Sequence, residues 1–275
     1  MKTNNQIIFY LLILISILSC ERDENPDAGE RPQLLSYHYK NMDIPGSALQ
    51  SNTDGIITIE YNSAGKPTKR NGGLVRLPFA VGFEYTFSKD IYEDINYENN
   101  GFTIQRKSIS QPEVVYIPQT YFRLENEKIV ERVNRDIYYP SANDTIQYYY
   151  SGNKLVKSLK KRRRPVSETK YHYNSKGNLD SIVTRDLAYN PTSQQYEPYP
   201  QYPKMRTLEI FRDYDNSGNP TKKLMFFDEV FNRSLSQNNY LYYEKKVFDI
   251  NGNLSQFVKK NWTFSYNSGI IDFSK

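Results

Sequence analysis

The residue types that most often carry chemistry are scarce in this sequence. Histidine occurs only as His38 and His172, each between two tyrosines in a segment typical of a strand, and Cys20 is the single cysteine. Two histidines cannot build a histidine-rich zinc site. No serine lies in a G-x-S-x-G turn, and no G-x-x-x-x-G-K-[ST] loop is present to hold phosphate. Acidic residues are scattered, and their spacing does not indicate which of them meet. We therefore expect no catalytic activity, no metal and no cofactor.

Tyrosine is the most abundant candidate for ligand contact, with 25 copies. The segment Leu187 to Lys204 is rich in Pro, Tyr and Gln, and proline removes backbone donors that a central strand needs. We expect this segment to form a long exposed loop. Its tyrosines are candidates for a platform that contacts a ligand, and the alternative is a loop laid over the sheet in which they only pack. They are Tyr189, Tyr196, Tyr199 and Tyr202.

A block of five basic residues is the second candidate for ligand contact. It runs from Lys160 to Arg164 and ends in Arg162, Arg163 and Arg164. Such a block can bind phosphate, sulfate or acidic glycans through charge-assisted hydrogen bonds. The alternative is a solvated strand at a sheet edge, where basic side chains discourage pairing with another sheet. The net charge of +5 is modest and does not indicate a nucleic-acid partner.

The N-terminus carries a targeting signal. Lys2 precedes an apolar run from Ile7 to Leu18, which has the length of a signal-peptide core and is short for a membrane span. Leu18, Ser19 and Cys20 resemble the end of a bacterial lipobox. That resemblance implies a lipoprotein signal peptide at residues 1–19 and lipid, such as palmitate, on Cys20. The alternatives are a plain signal peptide with a chance cysteine and an uncleaved anchor.

The residues after the cysteine predict a tether. Residues 20–33 are polar, contain two prolines and show no hydrophobic period, so we expect a flexible linker. Its acidic start, with Glu21, Asp23 and Glu24, is similar to the export signal of lipoproteins from the Bacteroidota. That similarity implies an outer-membrane, lipid-anchored protein facing the cell exterior, with the periplasmic face as the alternative. A merely solvated linker explains the same residues.

A recurring turn predicts the elements that position these residues. The unit is Asn or Asp, two free residues, then Gly, which suits a type I turn followed by a residue of positive φ. Alternating aromatic and β-branched residues flank it, as expected for antiparallel hairpins. Clear copies are Asn62–Gly65, Asn174–Gly177, Asp215–Gly218 and Asp249–Gly252, with weaker ones ending at Gly101, Gly152 and Gly269.

The repeated segments "KYHYNSKGNLDSI", "RDYDNSGNPTKK" and "KVFDINGNLSQF" resemble the tyrosine-aspartate (YD) repeats of RHS-type proteins and of Bacteroidota lipoproteins of unknown function. In RHS proteins such hairpins form a winding sheet that encloses a cargo. The resemblance implies an all-β fold, a meander of hairpins in one large curled or partly closed sheet. Gly-to-Gly gaps are irregular here and the copies are few, which sets this chain apart from a full RHS shell.

These observations predict one β-rich repeat domain at residues 34–275 behind the tether. The first functional hypothesis is a non-catalytic binding or scaffold lipoprotein of the envelope that recognises a glycan through tyrosine faces, since aromatic rings stack on sugars and offer a polar rim. The second is an RHS-like carrier or shell element that holds or presents a partner protein. The membrane, through the lipid on Cys20, is the expected partner in both.

Overall fold

Antiparallel strands dominate the described part of the chain. A computed structural model describes residues 33–42, 50–52, 54–79, 82–111, 119–135, 143–162, 164–199, 201–267 and 270–273. Within them the strands are β1 (Ser36–His38), β2 (Gln50–Asn52), β3 (Ile56–Tyr61), β4 (Pro67–Phe79), β5 (Gly82–Glu98), β6 (Gly101–Ser108), β7 (Gln119–Glu125), β8 (Lys128–Arg135) and β9 (Asp144–Ser151). They continue as β10 (Lys154–Arg162), β11 (Arg164–Tyr173), β12 (Leu179–Asn190), β13 (Gln195–Pro198), β14 (Arg206–Tyr214), β15 (Tyr240–Phe248), β16 (Leu254–Asn261), β17 (Ser265–Asn267) and β18 (Ile270–Asp272).

Helical structure in the described residues is short. It comprises α1 (Tyr39–Met42), a 3-10 turn (Lys222–Leu224) and α2 (Phe231–Ser234). The composition explains the bias, because 25 Tyr and 14 Phe favour a pleated, half-buried surface.

The strands form one meander in chain order. The described sheet has 16 strands. Fourteen of them follow the path β1-β3-β4-β5-β6-β7-β8-β9-β10-β11-β12-β14-β15-β16, β13 pairs with β12, and β2 pairs in parallel with β5. β17 and β18 form a separate hairpin. The predicted fold class, an all-β antiparallel meander in a large curled sheet, is confirmed.

The repeated turn works as the sequence predicts at Asn174. Its side-chain Oδ1 accepts hydrogen bonds from the backbone N–H groups of Lys176 and Asn178, at 3.0 and 3.1 Å. Gly177 follows with φ of +78°, a conformation that glycine adopts without strain. The units at Asn62 and Asp249 make the same bonds. Asn62 Oδ1 accepts from the backbone N–H groups of Ala64 and Lys66, and Gly65 has positive φ. Asp249 Oδ1 accepts from the N–H groups of Asn251 and Asn253, and Gly252 has positive φ.

The copy at Asp215 does not make a tight turn, so the expectation of one hairpin per copy is wrong there. Asp215 Oδ1 still accepts the N–H of Ser217 at 3.1 Å, but it also accepts the N–H of Asn239 at 3.2 Å, and Gly218 lacks positive φ. Residues 215–239, which we call the insertion, separate β14 from β15. These two strands nevertheless pair from Arg206↔Phe248 onward.

The insertion supplies one layer of the hydrophobic core. Leu224, Phe226, Phe227 and Val230 are all buried, and they pack on one face of the sheet. Phe226 lies with its ring centroid 5.1 Å from that of Phe102 in β6. The sheet contributes, among others, Tyr37, Ile57, Phe122, Tyr148, Tyr171, Ile182, Phe211 and Tyr243 to this core. We call the face that carries these residues the inner face.

The ends of the meander approach each other through the C-terminal residues. The backbone N–H of His38 in β1 donates to the carbonyl of Phe273 at 2.8 Å, and Lys260 Nζ in β16 donates to the carbonyl of Lys40 at 2.6 Å. Phe264 and Phe273 pack edge to face in the core beside them. The sheet is therefore curled so that its first and last strands share neighbours, although β1 and β16 do not pair.

Candidate functional site

The two ends of the sheet differ in construction. At one end, the turn end, tight turns join β3 to β4, β5 to β6, β7 to β8, β9 to β10 and β11 to β12, and the insertion joins β14 to β15. At the other, the loop end, lie the connections from β10 to β11 and from β12 to β14, together with the repeated turn Asp249–Gly252 that joins β15 to β16. Both segments singled out in the sequence, the tyrosine-rich segment and the basic block, lie at the loop end.

The tyrosine-rich segment is a hairpin followed by a short loop, so the expectation of a single long loop from Leu187 to Lys204 is wrong. β12 continues to Asn190, and β13 pairs with it in the register Tyr189↔Tyr196 and Leu187↔Pro198. Proline is tolerated because Pro198 ends a strand that pairs on one side only. The remaining residues pass back toward β14 through a turn in which the N–H of Tyr202 donates to the carbonyl of Tyr199.

The four predicted tyrosines form two ring pairs. Tyr189 and Tyr196 lie 5.4 Å apart between ring centroids, on one face of the hairpin, and Tyr199 and Tyr202 lie 6.0 Å apart in the loop. Tyr189 and Tyr202 are exposed, at 52% and 37%. Pairing holds these rings in place while it leaves ring surface in contact with water, and stacking on a ligand requires such surface.

An open groove of about 440 Å³ lies beside the second pair. We call it the tyrosine groove. It brings together the β11, β12 and β15–β16 regions at the loop end, and its lining residues are Val166, Asp186, Leu187, Tyr199, Tyr202, Met205 and Ile250. The lining is mostly apolar with one carboxylate, a composition typical of ligand sites that use a few polar groups for orientation.

The basic block connects β10 to β11 in the middle of the sheet, so its interpretation as a protective sheet edge is wrong. β10 pairs with both β9 and β11. Arg162 Nε donates to Asp144 Oδ1 at 2.7 Å, and Lys160 Nζ lies 3.4 Å from Asp144 Oδ2. Because Asp144 neutralises part of the basic block, the block offers less free positive charge than its sequence suggests. Arg163 and the side chain of Arg164 lie outside the described residues.

A buried ionic cluster fixes the insertion to the inner face, and sequence reasoning missed it. Arg70 in β4 has 3% of its side chain exposed and pairs with Glu93 of β5 at 3.2 Å and with Glu229 of the insertion. The hydroxyl of Tyr37 donates to Glu229 at 2.5 Å, and Arg106 contacts Glu93 at 2.6 Å. A second bridge joins the insertion to β8 through Arg132 and Asp228.

The Glu93 carboxylate beside Arg70 is held in the ionised form. Burial alone would raise the pKa of Glu93, but the positive charges of Arg70 and Arg106 outweigh it and hold that pKa below its ordinary value. A general acid that protonates a glycosidic oxygen needs a raised pKa. The pair Glu93 and Glu229 therefore fits a structural clamp on the insertion better than an acid and base pair.

Arg233 of α2 is buried in an aromatic cage. Its guanidinium carbon lies 4.2 Å from the ring centroid of Tyr240, 4.5 Å from Trp262 and 5.1 Å from Phe264. Nη1 donates to the carbonyl of Tyr240 at 2.9 Å, and burial lowers the pKa of the guanidinium. Stacking of a weakly hydrated, planar cation on three rings positions the end of the insertion against β15 and the C-terminal residues.

Neither histidine lines the tyrosine groove. His38 Nδ1 lies 2.8 Å from Asp54 Oδ1, and His172 is exposed in β11. Among the residues that the structure describes, no group of three or more His, Cys, Asp or Glu side chains is arranged to hold a metal ion. No helix in the described ranges is long and apolar enough to cross a membrane. Cys20, the signal peptide at residues 1–19 and the acidic stretch of the tether lie outside those ranges.

Comparisons with known proteins give a distant structural likeness only. No protein-family model matches the chain, and no curated protein matches it. Among solved structures, a porin-like protein from Bacteroides uniformis is 11% identical with a TM-score of 0.47, over 78% of this chain and 80% of that one. A porin-like protein from Bacteroides vulgatus is 13% identical with a TM-score of 0.45, over 83% of this chain and 87% of that one. Similarity at this level defines neither a family nor a function.

Proposed function

We propose that this chain is a lipid-anchored envelope protein that binds a glycan at the loop end of its sheet without catalysing a reaction. The observation that carries the proposal is the tyrosine groove, an open cavity that Tyr199 and Tyr202 line beside one carboxylate, Asp186. Sugars present apolar C–H faces and polar rims, and exposed tyrosine rings complement both. The lipobox-like Leu18-Ser19-Cys20 supports attachment to the outer membrane, facing the cell exterior or the periplasm.

The shape of the site favours binding over presentation of a large partner. The RHS-like alternative needs the inner face of the sheet for a cargo protein, but the insertion already covers that face at the turn end with Phe226, Phe227 and the Arg70–Glu229 bridge. In the described ranges, inner-face side chains at the loop end stay partly exposed. Because the insertion occupies the turn-end part of the face that a cargo protein would need, a carrier role stands second to glycan binding.

The test is a glycan array probed with the full chain in detergent. We expect a defined set of oligosaccharides to bind, and Tyr202→Ala to weaken that binding by about tenfold or more through loss of a stacking ring. Tyr149→Ala is the matched control, because Tyr149 is an exposed tyrosine (40%) of β9 outside the groove. Binding that is absent across the array, or equal in Tyr202→Ala and wild type, would contradict glycan recognition in the groove.

A further inference from the structure

The chain enters the sheet at the turn end. Gln33 is the first described residue, and its Nε2 lies 2.9 Å from the position that a Cβ would take on Gly65 of the β3–β4 turn. The carbonyl of Leu34 then accepts a hydrogen bond from the hydroxyl of Tyr61, the last residue of β3, at 2.9 Å. From there β1 runs antiparallel to β3, toward the loop end. The predicted tether, residues 20–33, therefore joins the described domain at the turn end.

The insertion passes across the turn end between two of the tight turns. Lys223 Nζ lies 4.0 Å from the same Cβ position on Gly65, beside the β3–β4 turn. Lys222 Nζ donates to Oε1 of Gln237, whose Cβ lies 3.9 Å from the Cβ position on Gly177, beside the β11–β12 turn. The 3-10 turn that carries both lysines therefore brings their ammonium groups to the same end of the sheet as Gln33.

Four lysines are collected where the insertion meets these two turns. We call them the lysine band: Lys66, Lys176, Lys222 and Lys223. The segments that carry them, residues 62–66, 174–178 and 217–227, contain no acidic residue. Lys66, Lys176 and Lys223 are exposed, and none of the three forms an ion pair with another described residue. Their positive charges are therefore available to an anionic partner.

The acidic residues of the turn end lie outside the lysine band. Those of the insertion have partners, because Asp228 and Glu229 pair with arginines of the sheet and Asp215 accepts two backbone N–H groups. In the three strand residues on either side of each turn-end connection, and in the other tight turns, the two signs are nearly equal in number: Glu60, Lys69, Glu98, Arg123, Glu125, Glu127, Lys128, Lys154, Asp180, Arg212 and Asp213. Excess positive charge at this end is therefore concentrated in the band.

An exposed leucine lies where the chain enters the sheet. Leu35 keeps 63% of its surface accessible, although its carbonyl is fixed by a hydrogen bond from the N–H of Ile59 at 2.9 Å. It is close in the chain to Gln33, which lies beside the β3–β4 turn of the band. Basic side chains that meet phosphate groups and apolar side chains that enter the acyl boundary are together the means by which proteins bind a membrane surface.

A lipid on Cys20 would hold the turn end near its membrane. Residues 21–32 separate Gln33 from Cys20, and a chain of that length reaches at most about 45 Å when fully extended. The tyrosine groove lies at the opposite end of strands such as β12, whose 12 residues extend about 40 Å. Of the two ends of the sheet, the one that carries the lysine band is thus the end to which the lipid is joined.

We infer that the lysine band is a docking surface for the anionic phospholipid headgroups of the membrane that holds the lipid on Cys20, so that the tyrosine groove points away from that membrane. This inference rests on the lipid anchor of the proposed function and adds an interaction surface and an orientation. Lysine ammonium groups bind phosphate oxygens as compact charges, which requires no shaped pocket. Leu35 adds an apolar contact beside them.

The first part of the test measures which end of the sheet lies near the bilayer. Cys20 is the single cysteine, so once it carries lipid an added cysteine can be labelled alone. The full chain is placed in vesicles of phosphatidylcholine and phosphatidylglycerol that contain an acceptor dye, with a donor on Ser175→Cys in the β11–β12 turn or on Thr192→Cys in the β12–β13 turn. Both positions are exposed.

We expect energy transfer from Ser175→Cys to exceed that from Thr192→Cys by at least about twofold, because the two labels are separated by about the length of β12. Equal transfer, or stronger transfer from Thr192→Cys, in a chain that floats with the vesicles would overturn the docking surface and leave the lipid anchor intact. A chain that does not float with the vesicles would overturn the anchor and the docking surface together.

The second part tests the charge of the band. Transfer from the Ser175→Cys label should be stronger in vesicles with phosphatidylglycerol than in phosphatidylcholine alone, and added salt should remove that difference by screening exposed charges. Combining Lys66→Gln, Lys176→Gln and Lys223→Gln should abolish the difference. The matched control combines Lys170→Gln, Lys204→Gln and Lys259→Gln, which removes the same charge from exposed lysines outside the band and should keep the difference.

Transfer that ignores phosphatidylglycerol, or that responds equally in the two triple variants, would overturn the headgroup contact and leave an acidic protein as the occupant of the band. Should the band variant lose its thermal transition, Lys223→Gln alone gives the same comparison with Lys204→Gln.

Discussion

At the scale of single residues, the turn chemistry is the most firmly determined feature of this protein. The side chain of Asn174 and the positive φ of Gly177 together close the β11–β12 hairpin. Gly218 occupies the equivalent place in the Asp215 unit but lacks positive φ, because the chain leaves the sheet there. The same four-residue motif therefore imposes different demands on its glycine, depending on whether a strand or the insertion comes next.

The glycine positions give a prediction with an internal control. Gly177→Val should lower the free energy of unfolding by on the order of 1 kcal/mol or more, because a β-branched residue resists a φ of +78°. An added Cβ there meets only Gln237 at 3.9 Å, so crowding is not the cause. Gly218→Val, with no neighbour within 4 Å and no positive φ, should cost less. Urea denaturation of both variants measures the two losses of unfolding free energy. Equal losses in Gly177→Val and Gly218→Val would contradict the explanation based on positive φ.

The buried cluster around Arg70 gives a second prediction at this scale. Arg70→Met leaves the Glu93 and Glu229 carboxylates without their shared cation, and should destabilise the protein by about 3 to 5 kcal/mol. Lys107→Met is the control: its partner Asp94, at 2.8 Å, and Lys107 itself are both partly exposed, so its loss should not exceed about 1 kcal/mol. Equal losses of unfolding free energy in Arg70→Met and Lys107→Met would show that the buried cluster contributes no more to stability than a partly exposed ion pair.

The pH dependence of that cluster follows from the direction of the Glu93 shift. The folded-state pKa of Glu93 is depressed, so its contribution to stability is fully present above the unfolded-state pKa and is lost as the pH falls through the folded-state pKa. Wild-type stability should therefore decline on acidification. In Arg70→Met the carboxylates lose the cation that depresses the pKa of Glu93, so the gap between wild type and variant should narrow as the pH falls. Denaturation curves at several acidic pH values measure that gap.

At the scale of elements, the hairpins were predictable and the insertion was not. The turns at Asn62, Asn174 and Asp249 depend on residues within four positions of each other, so sequence alone determines them. The unit at Asp215 has the same residue types, and its difference lies in the residues after it, which lack strand alternation and contain the apolar run Met225-Phe226-Phe227. That run was the available signal for a segment that packs on the sheet.

The candidate site was predictable in location and not in geometry. The composition of Leu187 to Lys204 singled out Tyr199 and Tyr202, which do line the groove, but it indicated a loop where β12 and β13 pair. The groove also needs Asp186 and Ile250, and Ile250 comes from a different connection, between β15 and β16.

The insertion's role in stability is tested by one of its aromatic residues. Phe226 is 7% exposed and contacts Phe102, Phe122 and Phe227, so Phe226→Ala should destabilise the protein by about 3 to 5 kcal/mol. Phe257→Ala is the matched control on β16, where the ring is 50% exposed, and its effect should stay within about 0.5 kcal/mol. Similar losses in thermal or urea unfolding would mean that the insertion does not act as part of the core.

At the scale of the whole molecule, the residues that hold the fold together are separated from the candidate site. The turns at Asn62 and Asn174, the insertion and the Arg70 cluster occupy the turn end, where many of the described side chains are buried and paired. The segments that differ most from the repeat, the tyrosine-rich hairpin and the basic block, occupy the loop end. Residues on the connecting segments of the loop end can therefore vary without disturbing the core, because the sheet beneath them holds those segments in place.

Attachment to a membrane is the prediction that belongs to the whole chain. If Cys20 carries lipid, Cys20→Ala expressed in a bacterial host should no longer partition into detergent or incorporate labelled palmitate, because each buried methylene of an acyl chain contributes about 0.8 kcal/mol to membrane binding. Ser19→Ala is the control, since it keeps a small residue before the cysteine and should leave both readouts unchanged. A Cys20→Ala chain that still partitions would indicate a plain anchor at residues 1–19 in place of a lipid, and neither outcome bears on the proposed glycan binding at the loop end.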